Sequence, residues 1–214
     1  RAALPATASV ASLPLPMPLP ARIDKRSAAP AGAPGLHRQA SEQAQSGHSR
    51  AGLVLAREAL AADPAYAPAR LLAAVLEHET GATQRAIELL HDGLALQPQD
   101  KSQALLLARL QAQQGQTAAA LATIDTHRLA DATAQGLRAG LLAQSGDYTR
   151  ALAAYESAAR QEPANPLWWF GLGVALESEG DPARARQAYS RAQASGLAPG
   201  ELAQYAEQRL RALD

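Results

Sequence analysis

Residues 166–199 read PLWWFGLGVALESEGDPARARQAYSRAQASGLAP, and their order predicts a helical hairpin. Two stretches of helical length flank Gly180, a residue that lets the backbone turn through a left-handed conformation. Small residues at Gly173, Ala185 and Ala192 would let the two helices approach closely. The stretch therefore indicates two short helices packed against each other.

The same pattern recurs along the chain, which indicates a repeat protein. Glycines that could serve as the turn residue lie 34, 34, 31 and 34 residues apart, at Gly47, Gly81, Gly115, Gly146 and Gly180. With the glycine as position 15, the units begin near residues 33, 67, 101, 132 and 166. Position 8 is always small, as Ala40, Ala74, Ala108, Ala139 and Gly173, and so is position 20, as Gly52, Ala86, Ala120, Ala151 and Ala185.

This spacing resembles the tetratricopeptide repeat (TPR), and the unit at 166–199 is the best match. The residues at the family's signature positions are Trp169, Leu172, Gly173, Leu176, Gly180, Ala185, Tyr189 and Ala192. The resemblance implies an all-α, right-handed solenoid of about five hairpins over residues 33–214, with almost no β-structure. An amphipathic segment at 200–213 would cap the open end of the stack.

Residues 1–32 form a different kind of segment, predicted to be an extended proline-rich linker. The run LPLPMPLP at residues 13–20 favours polyproline II and forbids a membrane-spanning helix. Its leucines could dock in an apolar groove, either this protein's own or a partner's. Because the chain begins at Arg1 without an initiator methionine, we expect a processed form or a fragment, from which an upstream signal or anchor could be missing.

Composition argues against several classes of function. Twenty basic and twenty acidic residues cancel, so neither nucleic acid nor a membrane surface is an expected partner. There is no cysteine, and the five histidines are not paired at a metal-ligand spacing. His91 beside Asp92 is more easily explained by a helix surface than by a catalytic pair. We therefore expect a protein without a cofactor, a metal or catalytic activity.

A binding surface follows from the resemblance, because in TPR solenoids the first helix of each hairpin lines a concave groove. Positions 5 and 9 of these helices predict a mostly apolar groove. The candidate groove residues are Leu71, Val75, Leu105, Arg109, Gly136, Gly140, Phe170 and Val174. The alternative is that they contact only neighbouring hairpins. The basic and amide residues of chaperone-tail clamps are missing, so an apolar helix or extended segment is the expected ligand.

Three of the candidates have a second interpretation. Gly136 and Gly140 lie one turn apart and would leave a shelf for a partner backbone, or else allow close packing against the third hairpin. Trp169 occupies an intrahairpin packing position and is expected in the core. Trp168 either packs against the preceding hairpin or faces a partner.

A narrower resemblance concerns the C-terminal stretch from Trp168 to Leu176 and the tyrosines after it, which look like the end of MshN-family proteins of MSHA-type pilus biogenesis. This resemblance implies an adaptor in type IV pilus or related secretion-machinery assembly, with periplasmic repeats and an inner-membrane anchor upstream. The alternatives are a periplasmic chaperone or pilotin-like protein that escorts one client, and a regulatory domain of an enzyme. In each case the expected partner is a protein.

Overall fold

The computed structural model describes residues 32–213, and within them the chain forms eleven α-helices and no strand. The predicted residues 1–32 linker lies outside the described residues except for Gly32. The helices are α1 (Ala33–Gln45), α2 (Ser49–Ala62), α3 (Ala67–Glu79), α4 (Thr83–Leu96), α5 (Lys101–Gln113), α6 (Thr117–Thr126), α7 (Ala132–Gln144), α8 (Tyr148–Gln161), α9 (Pro166–Ser178), α10 (Pro182–Ala194) and α11 (Glu201–Ala212). The predicted all-α fold of five hairpins followed by a further helix is confirmed.

Each hairpin turns at the glycine that the repeat places there. At Gly180 φ is +84°, a conformation that is strained for residues with a side chain. The Gly180 amide donates to Glu177 O at 3.1 Å, and the Asp181 amide donates to Leu176 O at 2.9 Å. These bonds satisfy the last carbonyls of α9 and end the helix. The space around Gly180 is open, so its conformation and not its size requires glycine.

The small residues at positions 8 and 20 allow the helices to pack closely. Ala40, Ala74, Ala108 and Ala139 have no exposed surface, and neither do Ala86, Ala120, Ala151 and Ala185. A Cβ atom at Gly173 would lie 2.7 Å from the Tyr189 ring, so the fifth hairpin needs glycine at this contact.

The described chain divides into two compact units, residues 32–127 and residues 128–213. The division follows the shortened third hairpin, whose second helix has 10 residues where α4 has 14. In the N-terminal unit (residues 32–127), the first two hairpins share an aliphatic core of Ala40, Leu53, Ala56, Leu72, Ala73 and Leu76. In the C-terminal unit (residues 128–213), large aromatic side chains take the corresponding role, led by Trp168, Tyr155, Tyr189 and Phe170.

Candidate functional site

The first helices of the N-terminal unit carry a row of partly exposed apolar side chains. Helix α3 contacts both α1 and α5, so the first helices form a continuous layer within this unit. Leu71 on α3 and Leu105 on α5 lie one repeat apart, at the same height in the layer, and both are partly exposed. Val75 and Arg109, one turn further along, are 6% and 9% exposed. We call Leu71, Val75, Leu105 and Arg109 the leucine face.

The two ends of the leucine face are more exposed than its centre. Pro68 and Ser102 are exposed at the N-terminal ends of α3 and α5. At the other end, the exposed Glu79 carboxylate accepts a hydrogen bond of 3.3 Å from Ser49 Oγ. The surface therefore offers an apolar strip with the polar Ser102 at one end and Glu79 at the other, a pattern that suits an apolar segment with polar flanks.

Two arginines fix helix α3 in place. The Arg70 guanidinium donates to Leu89 O at 3.2 Å and also to Pro64 O, which ties α3 to α4 and to the preceding loop. Burial lowers the pKa of Arg70, and the nearby Asp92 partly offsets this effect. The Arg57 side chain forms an ion pair with the nearly buried Glu77 of α3. The leucine face is thus carried by a helix held through several directed contacts.

A glycine of helix α4 makes room for the Arg70 side chain. A Cβ atom at Gly93, position 27 of the second unit, would overlap the Arg70 side chain and the Gln103 amide. The one signal in the sequence was the place of Arg70 directly before the apolar run at residues 71–76. A buried arginine needs acceptors, and here two backbone carbonyls supply them.

Phe170 lies in a different environment from Leu71, although both occupy position 5. It has no exposed surface, and its ring centroid lies 6.0 Å from Tyr189 and 5.9 Å from Tyr205 of α11. Val174 is 6% exposed. The expectation that Phe170 faces a partner therefore needs correction, because α11 covers its ring.

The glycine shelf expected at Gly136 is also filled. A Cβ atom there would overlap the indole of Trp168, which is 2% exposed and donates through Nε1 to Glu162 Oε2 at 3.0 Å. Gly136 thus packs against the fifth hairpin. Gly140 is buried as well. Neither glycine nor Trp168 is open to a partner in this structure.

Trp169 is the more exposed of the two tryptophans, which reverses the expectation. Its Nε1 donates to Pro163 O at 2.8 Å, and the Arg191 guanidinium carbon lies 4.6 Å above its ring. This cation–π contact shields the ring face from water. The indole is held by the second helix of its own hairpin and is only partly buried.

The end of the C-terminal unit is closed by a polar cluster around Glu177. Arg209 of α11 donates to both carboxylate oxygens, and Tyr189 Oη donates to Oε2 at 3.1 Å. Burial raises the pKa of Tyr189, and the neighbouring Tyr205 and Glu177 add to this effect. The cluster ties α11, which packs mainly against α10, to the first helix of the fifth hairpin.

Nothing in the described residues suggests metal chemistry. Among residues 32–213, no group of three or more His, Asp or Glu side chains is arranged to hold a metal ion. His37 is nearly buried beside Ser41 and the edge of Tyr66, and burial lowers its pKa. None of the helices in this range is long and apolar enough to cross a membrane.

Comparison with known sequences settles the family. One sequence model of the tetratricopeptide repeat matches residues 43–110 and 77–141, and a second matches residues 137–201. The chain belongs to the tetratricopeptide-repeat family. No curated protein matches the TPR chain in a sequence search.

Solved structures share the TPR fold at low sequence identity. PilF of Pseudomonas aeruginosa is 17% identical, with a TM-score of 0.70 over 85% of this chain and 88% of its own. MamA from Desulfovibrio magneticus RS-1 is 15% identical, with a TM-score of 0.69 over 81% of this chain and 100% of its own. YrrB, described as a TPR protein with an unusual peptide-binding site, is 17% identical, with a TM-score of 0.64 over 82% and 92%. These structures show a shared fold, and membership of the tetratricopeptide-repeat family supports a protein–protein interaction scaffold.

Proposed function

We propose that the protein is a non-catalytic scaffold whose leucine face binds an apolar helix or extended segment of a partner protein. The observation that carries this proposal is the pair Leu71 and Leu105, which are partly exposed at the same register on adjacent first helices. TPR proteins are typically interaction modules, and the peptide-binding site described for YrrB is a precedent on the same fold.

The size of the leucine face limits what kind of partner it can hold. Full burial of one leucine side chain stabilises a complex by about 1.5–3 kcal/mol, whereas a micromolar complex needs about 8 kcal/mol. The two leucines are already partly buried and supply only part of that free energy. The partner must therefore extend over the flanking positions, from Pro68 and Ser102 at one end to Ala112 at the other.

A narrower role is that of an adaptor in the assembly of a type IV or MSHA-type pilus or a related secretion machine. The support is the resemblance of the stretch from Trp168 to Leu176 to MshN-family proteins, together with the fold shared with PilF. In this role the repeats would lie in the periplasm and the protein would be held at the inner membrane by a segment upstream of Arg1. Site-specific photo-crosslinking from position 71 in bacteria would test the role. Crosslinks to pilus or secretion components are expected, and crosslinks only to unrelated proteins would contradict it.

The binding proposal can be tested with a selected peptide and matched substitutions. A displayed library of random peptides, each long enough for four helical turns (about 14 residues), would be selected on the full chain. The probe affinity would then be measured by fluorescence anisotropy for Leu71→Glu and Leu105→Glu. Leu96→Glu is the matched control, because Leu96 is 56% exposed on the second helix α4 and undergoes the same chemical change.

We expect each leucine-face variant to raise the dissociation constant by about 10- to 100-fold, since binding would either bury the new carboxylate or leave the apolar ligand side chain in water. The control should bind like the parent protein. Equal affinity in all three variants, with unchanged helicity by circular dichroism, would exclude the leucine face as the binding site.

A further inference from the structure

The sequence before the first helix contains an apolar segment of unusual chemistry. Residues 2–21 carry no charged side chain, and residues 13–20 alternate leucine or methionine with proline. Proline lacks an amide donor, so such a run can neither continue a helix nor pair within a sheet. It can bind a surface only as a polyproline II segment held by its side chains.

The chain enters the described fold at the edge of the layer that carries the leucine face. Gly32 caps α1, where its carbonyl accepts from the amides of Gly35 and Leu36, each at 3.1 Å. Helices joined by short turns run antiparallel, so α1, α3 and α5 all point the same way. Pro68 and Ser102 therefore lie at the same edge of the layer as Gly32.

The linker between the Leu-Pro run and Gly32 is long enough to reach this surface. Its eleven residues, 21–31, span at most about 35 Å. Packed helices lie about 8–10 Å apart, so α5 is about 20 Å across the layer from α1. The linker reaches both leucines with length to spare.

The spacing of the run also fits that of the helices. A polyproline II segment repeats every three residues, or about 9 Å, which is close to the distance between packed helices. One side of the run carries Leu13, Pro16 and Leu19, so successive apolar residues on that side would meet successive first helices. Leu71 and Leu105 lie at one register on two such helices.

Charge favours the same pairing. Arg22, Lys25 and Arg26 follow the run, with Asp24 as the one acidic residue among them. Residues 32–127 carry nine acidic side chains and seven Lys or Arg side chains. The basic linker is therefore attracted to the N-terminal unit.

We propose that residues 13–20 bind in cis to the leucine face and that a partner must displace them, an inference that rests on the proposed function of this face. Attachment to the same chain favours cis binding over binding between two molecules. A short linker gives an effective concentration in the millimolar range, so a contact too weak to form between separate molecules is populated within one chain. The segment is thus a built-in competitor of the partner.

The contact can be mapped by paramagnetic relaxation, because the chain has no cysteine of its own. A nitroxide attached to Ser12→Cys should broaden the methyl signals of Leu71 and Leu105 and leave those of Leu96 sharp. Adding Leu13→Glu and Leu19→Glu should abolish the broadening, and the matched pair Thr7→Glu and Ser9→Glu should retain it. The pattern should persist on dilution, as a cis contact requires. Equal broadening at Leu71 and Leu96, or no effect of the leucine substitutions, would overturn the proposal.

Affinity for the selected peptide separates this inference from the proposed function. If the run covers the leucine face in about nine-tenths of the molecules, Leu13→Glu with Leu19→Glu should lower the dissociation constant of the selected peptide about tenfold. A peptide that binds at Leu71 with the same affinity in both proteins would leave the proposed function standing and refute the competition. Broadening at Leu71 without any selected peptide binding there would support the cis contact and refute the proposed function.

Discussion

Position 5 of the first helix is partly exposed in the second and third hairpins, within the N-terminal unit, and core in the fourth and fifth hairpins, within the C-terminal unit. In the N-terminal unit, Leu71 and Leu105 are partly exposed, whereas in the C-terminal unit Phe170 is covered by Tyr205 and Gly136 by Trp168. The same place in the repeat therefore has two uses. In the C-terminal unit, a large aromatic side chain of a following helix covers this position.

This difference predicts that substituting alanine at position 5 lowers the free energy of unfolding by different amounts in the two units. The largest loss is expected for Phe170. Phe170→Ala removes a fully buried ring and should lower the free energy of unfolding of the C-terminal unit by about 3–5 kcal/mol. Leu71→Ala should cost the N-terminal unit about 1 kcal/mol, because its side chain is partly exposed.

Urea unfolding can distinguish the two units, since both tryptophans lie in the C-terminal unit. Tryptophan fluorescence follows that unit, and circular dichroism follows both. The comparison fails if Phe170→Ala costs no more than Leu71→Ala.

A smaller effect is expected at the two glycines that make room for a side chain. Gly136→Ala forces a methyl group into the buried indole of Trp168 and should cost about 1–3 kcal/mol, with a change in tryptophan emission. Gly93→Ala meets the end of the Gln103 side chain and the Cδ and Nε atoms of Arg70, which rotate about more bonds than an indole ring does. We expect Gly93→Ala to cost less in a denaturation experiment. The reverse order would show that the Arg70 contacts are the more rigid.

Much of this architecture could be predicted from the sequence because the backbone conformation and the close helix packing of each repeat require particular residue types. Turn glycines such as Gly180 and small residues such as Ala185 have one purpose each, so their spacing predicts the hairpins. Exposure is a different matter. Whether Phe170 is open depends on Tyr205, which lies 35 residues away and outside any TPR signature position.

The tryptophans illustrate the same limit. Both Trp168 and Trp169 stand where an indole can be buried, and the sequence alone favoured Trp169 for the core. Trp168 is the buried one because Gly136 leaves space for its ring. A contact between helices of successive hairpins decides the outcome, and the motif of one hairpin does not contain it.

The smallest effect is a pH dependence confined to the N-terminal unit. Burial lowers the pKa of His37, so the unfolded chain takes up a proton at a higher pH than the folded chain does. The stability of this unit is thus complete above about pH 6.5 and decreases as the pH falls below that value. Urea unfolding followed by circular dichroism should show the decrease in the parent protein and in the exposed-site control His91→Gln. It should be weaker in His37→Gln, and an unchanged slope there would rule out His37 as its origin.

The central claim is that the N-terminal unit binds a partner through the surface of its first helices, whereas in the C-terminal unit the equivalent surface is covered by its own aromatic side chains. A methyl NMR titration tests this claim most directly. The full chain, labelled at leucine and valine methyl groups, would be titrated with the selected peptide. We predict that the signals of Leu71, Val75 and Leu105 shift and saturate together, while those of Leu172 and Val174 stay in place. Shifts centred on Leu172 and Val174, with Leu71 and Leu105 unmoved, would contradict the account.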